Sequence, residues 1–370
     1  MRSKTKMSMN RCRTIALLGR RDEPTDAIEE YCRYLGSALT AHGFEMQICR
    51  VPWNKVGWAS AFSDLQQEAQ DWRGSWVFVQ YTALAWSKRG FPSRFLRILE
   101  ALQKNGARVA VVFHDVEAFG GRRLIDRMRR WSQLRVMRAA EESNLAIFTV
   151  PLATVSWSPN EKSRPVFVPV GANFPEPSLA EKQQPSSGQR HIAVYGITGG
   201  AEGQTEIREI ADAVRGAAQE IGPLKLSVLG RNSEVAERKL HEALGNASVE
   251  LQVLGVLPPE DVAKALCQAD VLLFVRGEIS TRRGSAIAGI ACGLPVVAFA
   301  GAETAPPITE AGLALYKRET PGDLSRVLAS VLRDAEYRSS LRARSRAAQK
   351  EHFSWSAIAA RYAELLRERS

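Results

Sequence analysis

ADVLLFVRGEISTRRGSAIAGIACGLPVVAF, residues Ala269 to Phe299, is the stretch from which the rest of the chain can be ordered. VLLFV (Val271 to Val275) is a short apolar run rich in branched residues, as a strand buried on both faces of a parallel sheet requires. The polar segment Arg276 to Ser280 leaves that sheet, and Ser280 or Thr281 is expected to cap a new helix. Small residues, among them Gly284, Ser285, Ala286, Ala288, Gly289 and Ala291, let this helix lie close to the sheet. Gly293 ends it, and Leu294 and Pro295 turn the chain into a second buried strand, Val296 to Ala300. The whole reads as one βαβ unit.

Such a unit sets its loop at the carboxyl end of a parallel strand, where open α/β sheets bind ligands, and aims a helix amino terminus at the ligand. The helix is expected to begin with Arg282 and Arg283. Cations oppose the helix dipole at that end, so the pair makes most sense facing a phosphate; the alternative is that both arginines are solvated, as is common on surfaces, or pair with acids elsewhere.

The segments ADVLLF and IACGLPVVAF, at this spacing, resemble the nucleotide-sugar signature of family 4 glycosyltransferases with the GT-B fold. The resemblance implies an α/β chain of two Rossmann-like domains facing an interdomain cleft. It also implies transfer of a sugar from a nucleoside diphosphate sugar to a hydroxyl acceptor. Two glutamates usual in that family fall at Ser280 and Ala288 here, so both are missing. Glu278 is the nearby carboxylate available to the sugar or ribose, and Arg282 and Arg283 are the available substitutes for the family's usual diphosphate grip.

At 370 residues the chain is long enough for two domains, and 45% hydrophobic with 24% charged residues is a globular composition. A net charge of +10 suits nucleic acid, anionic lipid or phosphorylated small molecules. No nucleic-acid-binding signature is present and the basic residues are spread along the chain, so nucleic acid is not expected as a partner. Five scattered cysteines without CxxC spacing suggest a reduced, cytoplasmic setting. The apolar run Ile15 to Leu18 is too short for a signal-peptide core, and no stretch reaches the ~18 apolar residues of a membrane span.

The first half opens with a strand, Thr14 to Gly19, and a helix marked by Ile28, Tyr31, Leu35 and Leu39. Between them, GRRDEPTD offers Gly19, Arg20 and Arg21 on the expected acceptor side, or simply a solvated charged loop. The strand Val109 to Phe113 delivers His114 and Asp115 at its carboxyl end. A histidine in a similar segment of the resembled family contacts the donor sugar, which makes His114 the candidate for that contact. Asp115 is left to fix the turn, bind a hydroxyl or act as a base. Further on, Leu124, Met128, Trp131, Leu134 and Met137 form a helical stripe among seven arginines in residues 120–138. The stripe is expected to pack on the domain core with the arginines in water; peripheral contact with an anionic membrane, at its inner face, is the alternative.

Residues 176–190, rich in proline, serine and charge, read as a linker between a first domain, 11–175, and a second, 191–350. The second domain opens with a strand and the glycines Gly196, Gly199, Gly200 and Gly203 ahead of a helix from Thr205 to Glu220. Gly199 and Gly200 are expected to bring backbone amides near a diphosphate, joined by Arg231 and by Ser280, Thr281, Gly284 and Ser285. Glu303 and Thr304 are minor candidates for donor contact, and Gly255 to Leu257 for the base. Residues 351–370 read as a final helix, which in the resembled fold crosses back to the first domain. No DxD-like pair sits in a convincing loop, so neither metal nor cofactor is expected. A nucleotide-sugar epimerase and a non-catalytic binding homologue remain as alternatives.

Overall fold

The computed structural model describes residues 12–157, 159–177 and 189–369, so most of the expected linker 176–190 lies outside the described residues. The chain forms two compact units, one running up to Val168 and taken up again from Ile358, the other spanning Pro169–Ala357. The division falls a few residues ahead of the expected end of the first domain at 175.

The first unit contains β1 (Cys12–Leu18), α1 (Ala27–Leu39), β2 (Phe44–Arg50), α2 (Trp53–Val56), α3 (Trp58–Glu68), β3 (Trp76–Tyr81), α4 (Arg94–Lys104), β4 (Arg108–Phe113), α5 (Leu124–Glu141), β5 (Leu145–Phe148) and β6 (Val166–Phe167). Its sheet is parallel, in the order β2-β1-β3-β4-β5-β6. The central strands are apolar along their length because helices cover both faces: Val77, Phe78 and Val79 of β3 and Val109 to Phe113 of β4 have no exposed surface. The chain turns from β1 to β2 on one side and reaches β3 on the other, which sets the topological switch point between β1 and β3.

The second unit contains β7 (Arg190–Tyr195), α6 (Gly200–Ile221), β8 (Leu224–Leu229), α7 (Ser233–Leu244), β9 (Val249–Gly255), α8 (Pro259–Cys267), β10 (Val271–Leu273), α9 (Gly284–Ala291), β11 (Val296–Ala298), β12 (Leu313–Leu315), α10 (Asp323–Arg333) and α11 (Ala335–Ala348). Its parallel order β12-β11-β10-β7-β8-β9 places the switch point between β7 and β10. The small residues of α9 act as expected. A Cβ on Gly289 would sit 2.6 Å from Leu272 Cδ2, so glycine there lets the helix rest directly on β10. The final helix, α12 (Trp355–Glu368), begins in the second unit, where Trp355 Nε1 donates to Ala172 O at 2.8 Å. It ends in the first unit, where the Tyr362 and Tyr31 hydroxyls are 2.8 Å apart.

Three local expectations are corrected. Neither Ser280 nor Thr281 caps α9: both are fully buried, and the residue before the helix is Arg283. The glycine loop is shorter than expected because α6 starts at Gly200 and takes Gly203 into its first turn. On α5 the apolar stripe does not stay on the core side. From Met128 onward its members are three residues apart, and each such step turns the stripe by about 60° around a helix of 3.6 residues per turn. The stripe therefore winds from water inward, leaving Leu124, Met128 and Trp131 exposed, Leu134 half-buried and Met137 buried.

Candidate functional site

Three loops lie at the carboxyl ends of the two strands that flank the switch point of the second unit and of the next strand over: 196–199 after β7, 274–283 after β10, and 230–232 after β8. The loops after β7 and β8 are knitted together, Ile197 N donating to Arg231 O at 3.0 Å and Asn232 Nδ2 to Ile197 O at 2.8 Å. Helices α6 and α9 start from this end of the sheet, and no side chain caps either of them. Their first amides are the donors that commonly receive an anion.

Arg276 and Arg283 supply the charge. Arg276 leaves β10 toward β7, and its Nη1 occupies the space a Cβ at position 196 would need, 2.9 Å away; Gly196 also holds a φ of +77°. Among the described residues its guanidinium has one hydrogen-bond contact, a long one with Thr198 Oγ1 at 3.5 Å. Arg283 sits against Gly277, and its Nε is buried with no acceptor among the described residues. Burial pushes the pKa of both arginines down; at Arg276 the charge of Glu206 opposes this and that of Arg231 adds to it, and at Arg283 Arg282 and Arg276 add to it while Glu303 and Glu278 oppose it. Neither has a carboxylate within ion-pair distance among the described residues. Two half-buried cations with no carboxylate in direct contact among the described residues carry a desolvation cost, and an incoming anion lowers that cost.

Arg276 was missed as a site residue because it reads as the polar exit of a strand. The available signal was its position, immediately beyond the carboxyl end of a central strand. Arg282, in contrast, is already engaged: its Nε and Nη2 each lie 2.7 Å from an oxygen of Glu303, a forked pair in which the glutamate side chain is 4% exposed. The arginine expected to face a diphosphate at the start of α9 is thus already paired with a carboxylate. Glu303 is in turn the anchor of Arg282, and Thr304 Oγ1 donates to Ile279 O at 2.6 Å. Glu278 is folded onto the same turn, its Oε2 accepting Glu303 N at 3.0 Å and filling the space beside Gly301. The expected ligand carboxylate is thus spent on holding 278–283 and 301–304 together. Ser280 and Ala288, the positions of the two missing glutamates, are 0% and 1% exposed, so side chains there point into the fold. Arg231 is half-buried at the loop after β8, Gly199 precedes α6, and Gly284 and Ser285 open α9 half-buried. Gly255 packs behind them, its carbonyl accepting Gly230 N at 2.6 Å.

In the first unit His114 and Asp115 follow β4. His114 Nε2 is 2.8 Å from Gln80 Oε1, and its ring meets Tyr31 edge-on with centroids 5.2 Å apart. Strand β3 and helix α1 therefore hold the half-buried imidazole from two sides. Asp115 accepts Ala83 N at 2.9 Å, which fixes the turn. Gly19 has a close backbone neighbour, since a Cβ there would lie 2.3 Å from Ala85 O. The same carbonyl receives Arg20 N at 2.8 Å, while Arg21 is exposed at 3.9 Å from Glu23 and 4.0 Å from Glu29. Gly19, Arg20 and Arg21 thus form a braced loop at the first unit's switch point, apart from His114 in sequence but on the same edge of the sheet.

No family model matches the chain, and no curated protein matches it in sequence. Solved structures do. Sucrose-phosphate synthase from Thermosynechococcus elongatus is 18% identical with a TM-score of 0.67, over 97% of this chain and 99% of that one. HepE from Anabaena, solved in complex with UDP and glucose, is 14% identical with a TM-score of 0.66, over 96% and 100%. A putative UDP-N-acetylglucosamine 2-epimerase from Listeria monocytogenes is 13% identical with a TM-score of 0.60, over 97% and 96%. At these identities the likeness establishes the fold, two Rossmann-like units of the GT-B type.

Proposed function

We propose that the chain is a glycosyltransferase, a divergent relative of family 4, that takes a hexose from a nucleoside diphosphate sugar to a hydroxyl acceptor. The observation that carries this reading is the pair of half-buried arginines, Arg276 and Arg283, which stand at the switch point of the second unit with no ion-pair partner among the described residues. In the reaction, negative charge builds on the diphosphate as the sugar leaves. Fixed cations and helix amino termini aimed at that charge stabilise the transition state without having to reorganise. Arg276, Arg283 and the open ends of α6 and α9 have this chemistry. HepE, bound to UDP and glucose, supports the ligand class. The arginines supply positive charge of the protein's own, so we expect turnover without added magnesium.

His114 is our candidate for a hydrogen bond to a substrate hydroxyl, because Gln80 and Tyr31 fix its ring. Glu278 is not assigned as a base, since its carboxylate holds Glu303 N. That commitment favours one second reading, a protein that binds a sugar nucleotide without turning it over.

The test is a panel of uridine, adenosine and guanosine diphosphate sugars, with and without magnesium, read by thermal shift and by release of nucleoside diphosphate. Stabilisation with release is expected. Stabilisation without release on adding acceptors selects the binding protein, and interconversion of sugars without any acceptor selects an epimerase. His114→Ala should slow release about tenfold, the loss of one hydrogen bond, while nucleotide affinity changes less than about twofold. Equal losses in both would remove His114 from sugar contact.

A further inference from the structure

The exposed half of α5 has no role in the function proposed above. Leu124, Met128 and Trp131, at steps of four and three residues, are 73%, 54% and 64% exposed on one face of the helix. Ile125 and Phe119 beside them are also exposed, whereas the other large exposed apolar side chains among the described residues are scattered. The face is not a consequence of a loose helix. Arg129 Nε donates to Arg89 O at 2.8 Å, Gln133 Nε2 donates to Gly90 O at 2.9 Å, and Gln133 Oε1 accepts Phe119 N at 2.8 Å. Val136, Met137 and Ala140 are buried beneath. The inner side of α5 is fastened, so its outer side is held in one orientation.

Charge identifies the occupant. Residues 120–140 carry seven arginines and one carboxylate, Asp126, which is taken up by Arg123 N at 3.1 Å and Arg129 at 3.4 Å. Arg127, Arg130, Arg135 and Arg138 are exposed around the apolar tip, and Arg135 lies 5.6 Å from the centre of the Trp131 ring. Tryptophan, methionine and arginine are also common in protein interfaces, so the feature that selects an anionic surface is the single sign of the charge, seven arginines to one carboxylate. An apolar tip ringed by arginines, with a tryptophan among them, matches the boundary between acyl chains and anionic headgroups. Among the described residues no helix is long and apolar enough to cross a membrane. We propose that α5 docks the protein on the surface of an anionic membrane, with Leu124, Met128 and Trp131 inserted and the arginines at the phosphates.

The test uses the full chain and sedimentation with vesicles, either phosphatidylcholine alone or an equimolar mixture with phosphatidylglycerol. Sedimentation with the mixed vesicles and not with phosphatidylcholine is expected. Leu124→Ser with Trp131→Ser should weaken it at least about tenfold through lost apolar burial. Arg127→Gln, Arg130→Gln and Arg135→Gln together should weaken it about a hundredfold. All five side chains are exposed, and an unchanged melting temperature in both variants confirms that folding is intact. Wild-type protein left in the supernatant, equal sedimentation with both vesicles, or undiminished binding by the variants overturns the proposal. So does a dimer that the Leu124→Ser, Trp131→Ser variant makes monomeric without any vesicle binding, which would assign the face to a second copy.

Discussion

Replacing Arg276 or Arg283 with methionine is expected to weaken binding of a nucleoside diphosphate about 10- to 150-fold, while the ligand-free protein stays as stable or becomes more so. The first part follows from the value of a charge-assisted hydrogen bond, about 1.5–3 kcal/mol. The second follows from partial burial without a direct ion pair among the described residues. Methionine keeps the apolar stem and removes a desolvated cation, and exchanges of buried charge for apolar volume are often neutral or stabilising. The opposite signs separate a binding site from a structural network. Calorimetric titration with uridine, adenosine and guanosine diphosphates, paired with thermal melts of the empty protein, measures both. A lower melting temperature with unchanged affinity would make the arginines scaffold.

Glu303→Gln is expected to destabilise the second unit by about 3 kcal/mol at neutral pH, the low end for breaking a buried ion pair, because the Arg282 side chain retains 21% exposure. The variant leaves Arg282 without its counter-charge. The effect has a definite pH dependence. Burial pushes the Glu303 pKa up, but the forked Arg282 pair outweighs burial and the net shift is downward. A carboxylate with a lowered folded-state pKa stabilises fully above its unfolded value, about 4.3, and that contribution is lost as pH falls through the lower folded value. Denaturation curves of wild type and variant should therefore lie apart at neutral pH and converge in acid. A gap that persists unchanged into strong acid would locate the cost of the substitution somewhere other than the charge.

The architecture was legible because its central strands are apolar along their length. WVFVQY and RVAVVF became β3 and β4, and the run from Val271 with its following small-residue helix became β10 and α9. The details of the site were less accessible. Ser280 and Thr281 have good capping chemistry, but the turn before α9 carries them inward, and local propensity does not register that direction. Arg282 and Arg283 are adjacent in sequence and look equivalent. Only the fold brings Glu303 to one of them and leaves the other without an ion pair among the described residues. On α5, residue type was read correctly, whereas the rotation of the stripe decided which members met water.

The fit between Gly196 and Arg276 ties two distant positions into a single unit of inheritance. Any side chain at 196 would meet the guanidinium and would also have to adopt a φ of +77°, so a lineage that keeps the arginine in this place is expected to keep the glycine. Chains that carry this pair at the ends of the corresponding strands can be grouped with this one even where paired glutamates are gone, and the pattern can retrieve relatives that a search for those glutamates passes over.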